Sequence, residues 1–231
     1  MPCHPTAREV HYVSMSSVVG TQVTHGVGLA YALRARGDPG VAFTFFGDGA
    51  TSSNDFHAGL NFAGVFRLPV VFVCANNQWA ISVPVQRQTA ADSLAAKAPA
   101  YGLPGRRIDG TDFIAAYVAL GDALDAARSG RGPSMIEFVT FRMTPHSTSD
   151  DPTRYQAAEW ARNAQARDPV RRLERWLREH GQLTDAIEAE LRHRAEEEVR
   201  AAIAAAENAP PPAAASLTED VYSSPRSSPS S

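Results

Sequence analysis

Cysteine is scarce in this sequence. There are two in 231 residues, Cys3 and Cys74, too few and too differently placed for a disulfide framework. Cys74 lies in an apolar run and reads as a buried small side chain. That usage fits a reducing compartment, and the cytoplasm is the expected location. Charge of one sign is also lacking. The chain has 22 Lys and Arg against 25 Asp and Glu, a net charge of -3, which gives no electrostatic case for a nucleic acid partner. No apolar run approaches the roughly 20 residues of a membrane span, so no membrane partner is expected. Met1 is followed by Pro2, Cys3 and His4, without the apolar stretch of a secretory leader. No internal repeat is visible.

What the sequence does have is a regular alternation of helix and strand patterns. Thr21 to Arg36 reads as a helix with small residues on one face, stopped at Gly37 with Pro39 beyond. Val41 to Phe46 is an apolar run of strand length. Ser53 or Asn54 caps a second helix to about Phe66, with Phe56, Leu60 and Ala63 at helical spacing. Val70 to Ala75 is another all-apolar run. Strands apolar on both faces predict a largely parallel α/β sheet with helices on both faces. Arg106 to Ile108, a helix from Asp112 to Gly130 and a strand from Ser134 to Phe141 extend the pattern. A polar loop, Met143 to Tyr155, leads into helices at Ala157 to Arg167, Pro169 to His180 and Thr184 to Glu207. The last is amphipathic through Ile187, Leu191 and Val199. From Ala209 the chain turns to Pro, Ala and Ser, a composition that buries too little apolar surface to offset its ordering entropy. The expected organisation is an α/β domain over 1–156, a helical segment over 157–208 and a disordered tail over 209–231.

The chemistry sits in Gly47-Asp48-Gly49, followed after 26 residues by Asn76-Asn77. Each half closes a predicted parallel strand, and open α/β sheets bind ligands at that edge. The glycines are expected to let the backbone approach a ligand with unusual dihedrals. A helix beginning just after Gly49 is expected to aim N–H groups at the same space, which suits a diphosphate. Asp48 and Asn77 supply the hard oxygens that Mg²⁺ prefers, and that ion commonly shares its shell with phosphate and water. The Trp79 carbonyl is a third candidate ligand. A phosphatase of the haloacid dehalogenase type also uses a Gly-Asp-Gly cluster. Here Asn54-Asp55 lies too far on, and no upstream Asp-x-Asp nucleophile is present.

These motifs, with Asp55-Phe56-His57, Leu60-Asn61-Phe62-Ala63, Asn76 through Pro84, Gln88-Thr89, Asp109-Gly110, Pro145 through Asp151 and Asp220-Val221-Tyr222, resemble the alpha subunit of the thiamine-diphosphate-dependent 2-oxo acid dehydrogenases. The resemblance implies thiamine diphosphate and Mg²⁺ as cofactors. It assigns Asp48, Asn77 and the Trp79 carbonyl to magnesium, and the backbone of Gly49 and Ala50 to the diphosphate. Ser16, the Val18 carbonyl, Thr21 and Gln22 resemble the family's potassium ligands, with Ser17 and Val19 against the cofactor. The family often has Pro where Val18 stands. His146 matches a histidine near the diphosphate and is the catalytic candidate, whereas His57, mid-helix, reads as a packing residue. Ser147 matches a serine that is phosphorylated in mitochondrial relatives. Ala75 departs from the family, which often has a polar or basic residue there.

The resemblance further implies decarboxylation of a 2-oxo acid with acyl transfer to a lipoyl group of an acyltransferase core. The expected assembly is an α2β2 heterotetramer in which the beta subunit supplies the other half of the site. Residues 146–151 look more like the branched-chain enzymes than the pyruvate enzymes. The opening at Met1 resembles an internal segment of family members, so a missing N-terminal part, or an upstream start, is expected. A truncated, non-catalytic subunit is the rival reading.

Overall fold

The computed structural model describes residues 6–14 and 16–217. Cys3, the opening at Met1, the Asp220-Val221-Tyr222 motif and the tail beyond 217 lie outside the described residues. By its contacts the chain divides into two compact units, Met1–Trp176 and Leu177–Ser231.

In the first unit, α1 (Thr21–Ala35), β1 (Ala42–Gly47), α2 (Asn54–Val65) and β2 (Val70–Asn76) form a parallel βαβ unit preceded by a helix. A short antiparallel pair follows, β3 (Trp79–Ala80) with β4 (Val83–Pro84). Then come a 3-10 helix at Ala95–Tyr101, β5 (Gly105–Asp109), α3 (Phe113–Arg128), β6 (Ser134–Val139), α4 (Ala158–Ala166) and α5 (Pro169–Glu179), whose last residues, from Leu177, belong to the second unit. The main sheet has four strands in the order β1-β2-β6-β5, all parallel. This is the α/β parallel fold expected from the alternating pattern.

Helices cover both faces. On one, Val23, Val27 and Ala30 of α1 and Phe56, Leu60 and Ala63 of α2 pack on Phe46, Val70, Phe72 and Cys74. The small-residue face of α1 has a physical reason: a Cβ on Gly26 would come within 2.9 Å of the Thr44 Cβ, so helix and strand approach closely. Phe56 and Leu60 are fully buried, which stabilises the fold by roughly 1.5–3 kcal/mol for each side chain. On the other face, Ala119, Ala123 and Ala127 of α3 cover Val71, Val73, Ile136 and Phe138. The Asp112 side chain caps α3 by accepting from the Ala115 N–H.

Two strands differ from their sequence patterns. β2 is buried on both faces, but β1 alternates, with Phe43 and Phe45 exposed at 36% and 63%. β1 is the sheet's edge and α3 does not reach over it, so the two rings stack on each other, centroids 6.5 Å apart. β6 ends at Val139, short of the expected Phe141, and the last rung of its ladder with β2 is the Thr140 N–H donated to the Asn76 carbonyl at 2.8 Å.

At the end of β5, Asp109 gathers cations from the C-terminal helices. Its Oδ2 lies 3.0 Å from Arg172 and 2.9 Å from Arg167, and its Oδ1 accepts from the Thr111 N–H and hydroxyl. Burial pushes the carboxyl up, but the Thr111 donors and the two guanidiniums outweigh it and hold the pKa at about 2. A folded-state value below the unfolded one contributes stability above the unfolded pKa, lost as pH falls through the folded pKa. Asp109→Asn is therefore expected to be less stable than wild type at neutral pH. The gap should close as pH falls from about 4 toward about 2. Because the side chain is 37% exposed, solvent screens it, and the gap should stay below about 1 kcal/mol. Thermal melts across that range check it, and a gap that persists at the low end would refute the assignment.

In the second unit, α6 (Asp185–Glu207) is capped by Thr184, whose hydroxyl accepts from the Ile187 N–H. Arg178 binds Asp185 at 2.7 Å and also Glu188, which Arg192 reaches as well. Ile187, Leu191 and Val199 are exposed. A 3-10 helix at Ala214–Leu217 stands within the segment expected to be disordered.

Candidate active site

The register of β1 on β2 pairs Gly47 with Ala75, which brings Asp48 and Asn76-Asn77 side by side at the carboxyl edge of the sheet. Asp48 is 2% exposed. Burial raises its pKa, opposed by a hydrogen bond from Gln88 and by the charge of Arg142. The Gln88 Nε2 donates to Asp48 Oδ2 at 2.6 Å and to the Val83 carbonyl at 3.0 Å, while its own Oε1 is buried without a partner.

Around Asp48 the chain forms a 3-10 helix, Asp48–Ser52, and α2 starts only after Ser53. The expected helix directly after Gly49 is thus split. Ser53 donates to the Ala50 carbonyl and accepts from the Phe56 N–H, closing the start of α2. Lys97 holds the turn from below, through the Thr51 carbonyl and hydroxyl at 3.1 and 3.0 Å. Neither Gly47 nor Gly49 has a positive φ, so unusual dihedrals are not why they are glycine. Gly49 is a packing requirement: a Cβ there would meet the Ala80 Cβ of β3 at 2.9 Å.

The two asparagines face different ways. Asn76 is 3% exposed and donates to Glu137 at 2.7 Å. Asn77 is only half-buried, and its Oδ1 accepts from the Trp79 N–H at 3.0 Å, which leaves that oxygen a second lone pair. The Trp79 carbonyl accepts from Arg142 at 3.4 Å. Arg142 also donates to the Ile81 carbonyl and to the Tyr155 hydroxyl, each at 2.7 Å. The Tyr155 hydroxyl donates to Asp150, which also accepts from the His146 N–H. These donors hold the Asp150 carboxyl below its ordinary pKa, the Tyr155 hydroxyl most. His146 is exposed in this loop, and among the described contacts none joins its ring to Asp48 or Asn77. Trp79 packs on Tyr155 and Trp160, ring centroids 5.3 and 5.8 Å away.

The potassium candidates form the start of α1. The Ser16 hydroxyl accepts from the Val18 N–H and the Val18 carbonyl from the Thr21 N–H. The Thr21 hydroxyl donates to Asp55 at 3.5 Å, and Gln22 accepts from the Gly20 N–H. Gly20 lies against Ser53, which places this turn beside the one bearing Asp48. Ser17 and Val19 are exposed. His57 pairs with the Tyr101 hydroxyl. Sequence reasoning missed Arg142, Lys97 and Glu137. The one available signal was a charged residue inside an apolar strand, at Glu137.

Residues 1–215 match the family described as dehydrogenase E1 component. The chain belongs to that family. Its relatives include the 3-methyl-2-oxobutanoate dehydrogenase subunit alpha of Mycobacterium tuberculosis, 48% identical over 78% of this chain and 49% of the relative. The mitochondrial 2-oxoisovalerate dehydrogenase subunit alpha 2 of Arabidopsis thaliana is 40% identical over 98% of this chain and 48% of its own length. The pyruvate dehydrogenase E1 component subunit alpha of Staphylococcus aureus is 40% identical over 92% of this chain and 58% of its own. The chain thus spans about half the length of the first of these E1 relatives. No helix among the described residues is long and apolar enough to cross a membrane.

Proposed function

We propose that this chain is the alpha subunit of a branched-chain 2-oxo acid dehydrogenase and carries the diphosphate half of a thiamine diphosphate site. The observation that supports it most is Asp48, a carboxylate 2% exposed whose side chain is bound by one amide. A buried carboxylate with so little compensation calls for a cation. Among the described residues no three His, Cys, Asp or Glu side chains cluster as a closed metal site. An ion held by Asp48, the Asn77 amide oxygen and the Trp79 carbonyl would complete its shell with phosphate oxygens and water, the habit of Mg²⁺. Those residues fit the group.

Thiamine diphosphate, when bound, supplies an electron sink for decarboxylation. The chain's part is to hold and orient it. Asp48, Asn77 and Trp79 take the metal, the Gly49 and Ala50 backbone takes the diphosphate, and Ser17 and Val19 lie against the cofactor. His146 is the candidate for proton transfer near the reacting centre. Ser16, Val18, Thr21 and Gln22 would take K⁺, an ion that would brace the start of α1 beside the Asp48 turn. The partners in this reading are a beta subunit, in an α2β2 assembly, and a lipoyl acyltransferase core, with the cytoplasm as the compartment.

Branched-chain substrates are favoured because the names of two of the three relatives above specify them. Pyruvate is the second reading, favoured by the staphylococcal relative. The test is to assemble the chain with its beta subunit and follow carbon dioxide release from 3-methyl-2-oxobutanoate and from pyruvate. Magnesium-dependent thiamine diphosphate binding and faster release from the branched acid are expected. Faster release from pyruvate selects the second reading. Binding without release from any 2-oxo acid would leave a non-catalytic subunit, and absence of binding would overturn the proposal.

A further inference from the structure

Asn77 is presented by a turn whose hydrogen bonds end on a buried acid. Glu137 stands in the middle of β6, opposite Cys74, and is 1% exposed. Its Oε1 accepts from Asn76 Nδ2 at 2.7 Å, its Oε2 accepts from the Ala95 N–H at 2.9 Å, and Arg107 Nε lies 3.8 Å away. A carboxylate accepts and does not donate, so it forces the NH₂ of Asn76 toward itself and the Asn76 oxygen outward. That oxygen accepts the Gln78 N–H at 2.9 Å. Gln78 has φ 73, a left-handed conformation that a non-glycine residue keeps only where its surroundings enforce it. Further bonds tie the turn down, from Gln78 Nε2 to the Thr140 carbonyl and from the Val85 N–H to the Gln78 carbonyl. Asn77 sits between the two residues so fixed.

We propose that Glu137 is a positioning residue for the cofactor loop: by orienting the Asn76 amide it fixes the turn that aims Asn77 at the metal. The part concerning the metal rests on the function proposed above. A filler of the core would need only volume at this position. The geometry instead requires an acceptor on both oxygens, since one faces Asn76 and the other the Ala95 backbone.

That requirement gives a charge-exchange test. In Glu137→Gln, one donor must face another donor whichever way the new amide turns. In Asn76→Asp, two carboxylates meet. In the double variant the pattern is complementary again. The new amide on β6 donates to the new carboxylate on β2, so the bond between the two side chains is kept with its direction reversed. The Ala95 and Gln78 N–H groups keep their acceptors. The count of negative charges also equals that of wild type. The readouts are amide hydrogen exchange at Gln78 and Trp79, and thiamine diphosphate affinity with Mg²⁺, on the chain assembled with its beta subunit. Each single change is expected to speed exchange at Gln78 and to weaken affinity by about tenfold or more, and the double to recover most of both. Singles that match wild type, or a double as impaired as the two singles combined, overturn the proposal. If the singles do not fold, a double that folds with wild-type exchange supports it and a double that also fails overturns it. If wild type binds no thiamine diphosphate, the functional reading fails, and the exchange measurements still decide the role of Glu137.

Discussion

Asp48→Ala is expected to abolish magnesium-dependent thiamine diphosphate binding in the assembled protein, and Asn77→Ala to weaken it severely. Each change removes one of about six oxygens from an ion that tolerates little departure from octahedral geometry. The loss should exceed the roughly 10–100-fold usual for groups that only orient a metal ligand. Asp48 should matter more, because it is the charged member and is 2% exposed, where its attraction for a cation is least screened. Asp48→Asn separates charge from shape: Gln88 can still donate to the amide oxygen, so the turn should persist while the affinity falls. Calorimetry with thiamine diphosphate and Mg²⁺ reads all three variants. An affinity equal to wild type in Asp48→Ala would remove the metal assignment.

Gly105→Ala is expected to give the largest loss of stability from a single added methyl group. The new Cβ would lie 2.1 Å from the Ala95 carbonyl oxygen. The 3-10 helix Ala95–Tyr101 is pinned on its other side by Gly64 of α2, where a Cβ would lie 2.2 Å from the Tyr101 carbonyl. Backbone lies at both contacts, so neither can be relieved by turning a side chain. Overpacking of this kind costs about 1–3 kcal/mol and more where the backbone must shift, a fall in melting temperature of about 2–12 °C for a domain of this size. Gly28 on α1 is the control. It is exposed with nothing within 4 Å of a new Cβ, so Gly28→Ala should stabilise by about 0.5–1 kcal/mol. Equal melting temperatures for the Gly105 and Gly28 variants would show that the 3-10 helix is not wedged as described.

Much of the fold was legible because its signals are local. Ser53, Asp112 and Thr184 cap helices as their side chains suggest, each accepting from an N–H three residues on. The β2 run Val70 to Ala75 announced a strand buried on both faces. β1 carries the same kind of run, yet Phe43 and Phe45 are exposed, because no local pattern states which strand will lie at an edge. The short β3-β4 pair was not legible at all. It depends on left-handed Gln78 and Ile81, residue types that do not advertise that conformation, and on Arg142 gathering the carbonyls of Trp79 and Ile81 from 63 and 61 residues away.

The sequence by itself determined the alternation of helix and strand, and the paired motifs at the ends of β1 and β2. Apolar periodicity and capping chemistry act over a few residues, and the motif residues adjoin the strands that carry them. Only the tertiary structure decided that Asp48 is buried and held by Gln88, that Asn76 turns inward to Glu137 while Asn77 does not, and that the glycine at 49 is needed for Ala80. Each depends on groups that are distant along the chain and meet only when parallel strands are in register. Hydrogen-bond direction and burial are properties of those meetings, and no single segment contains them.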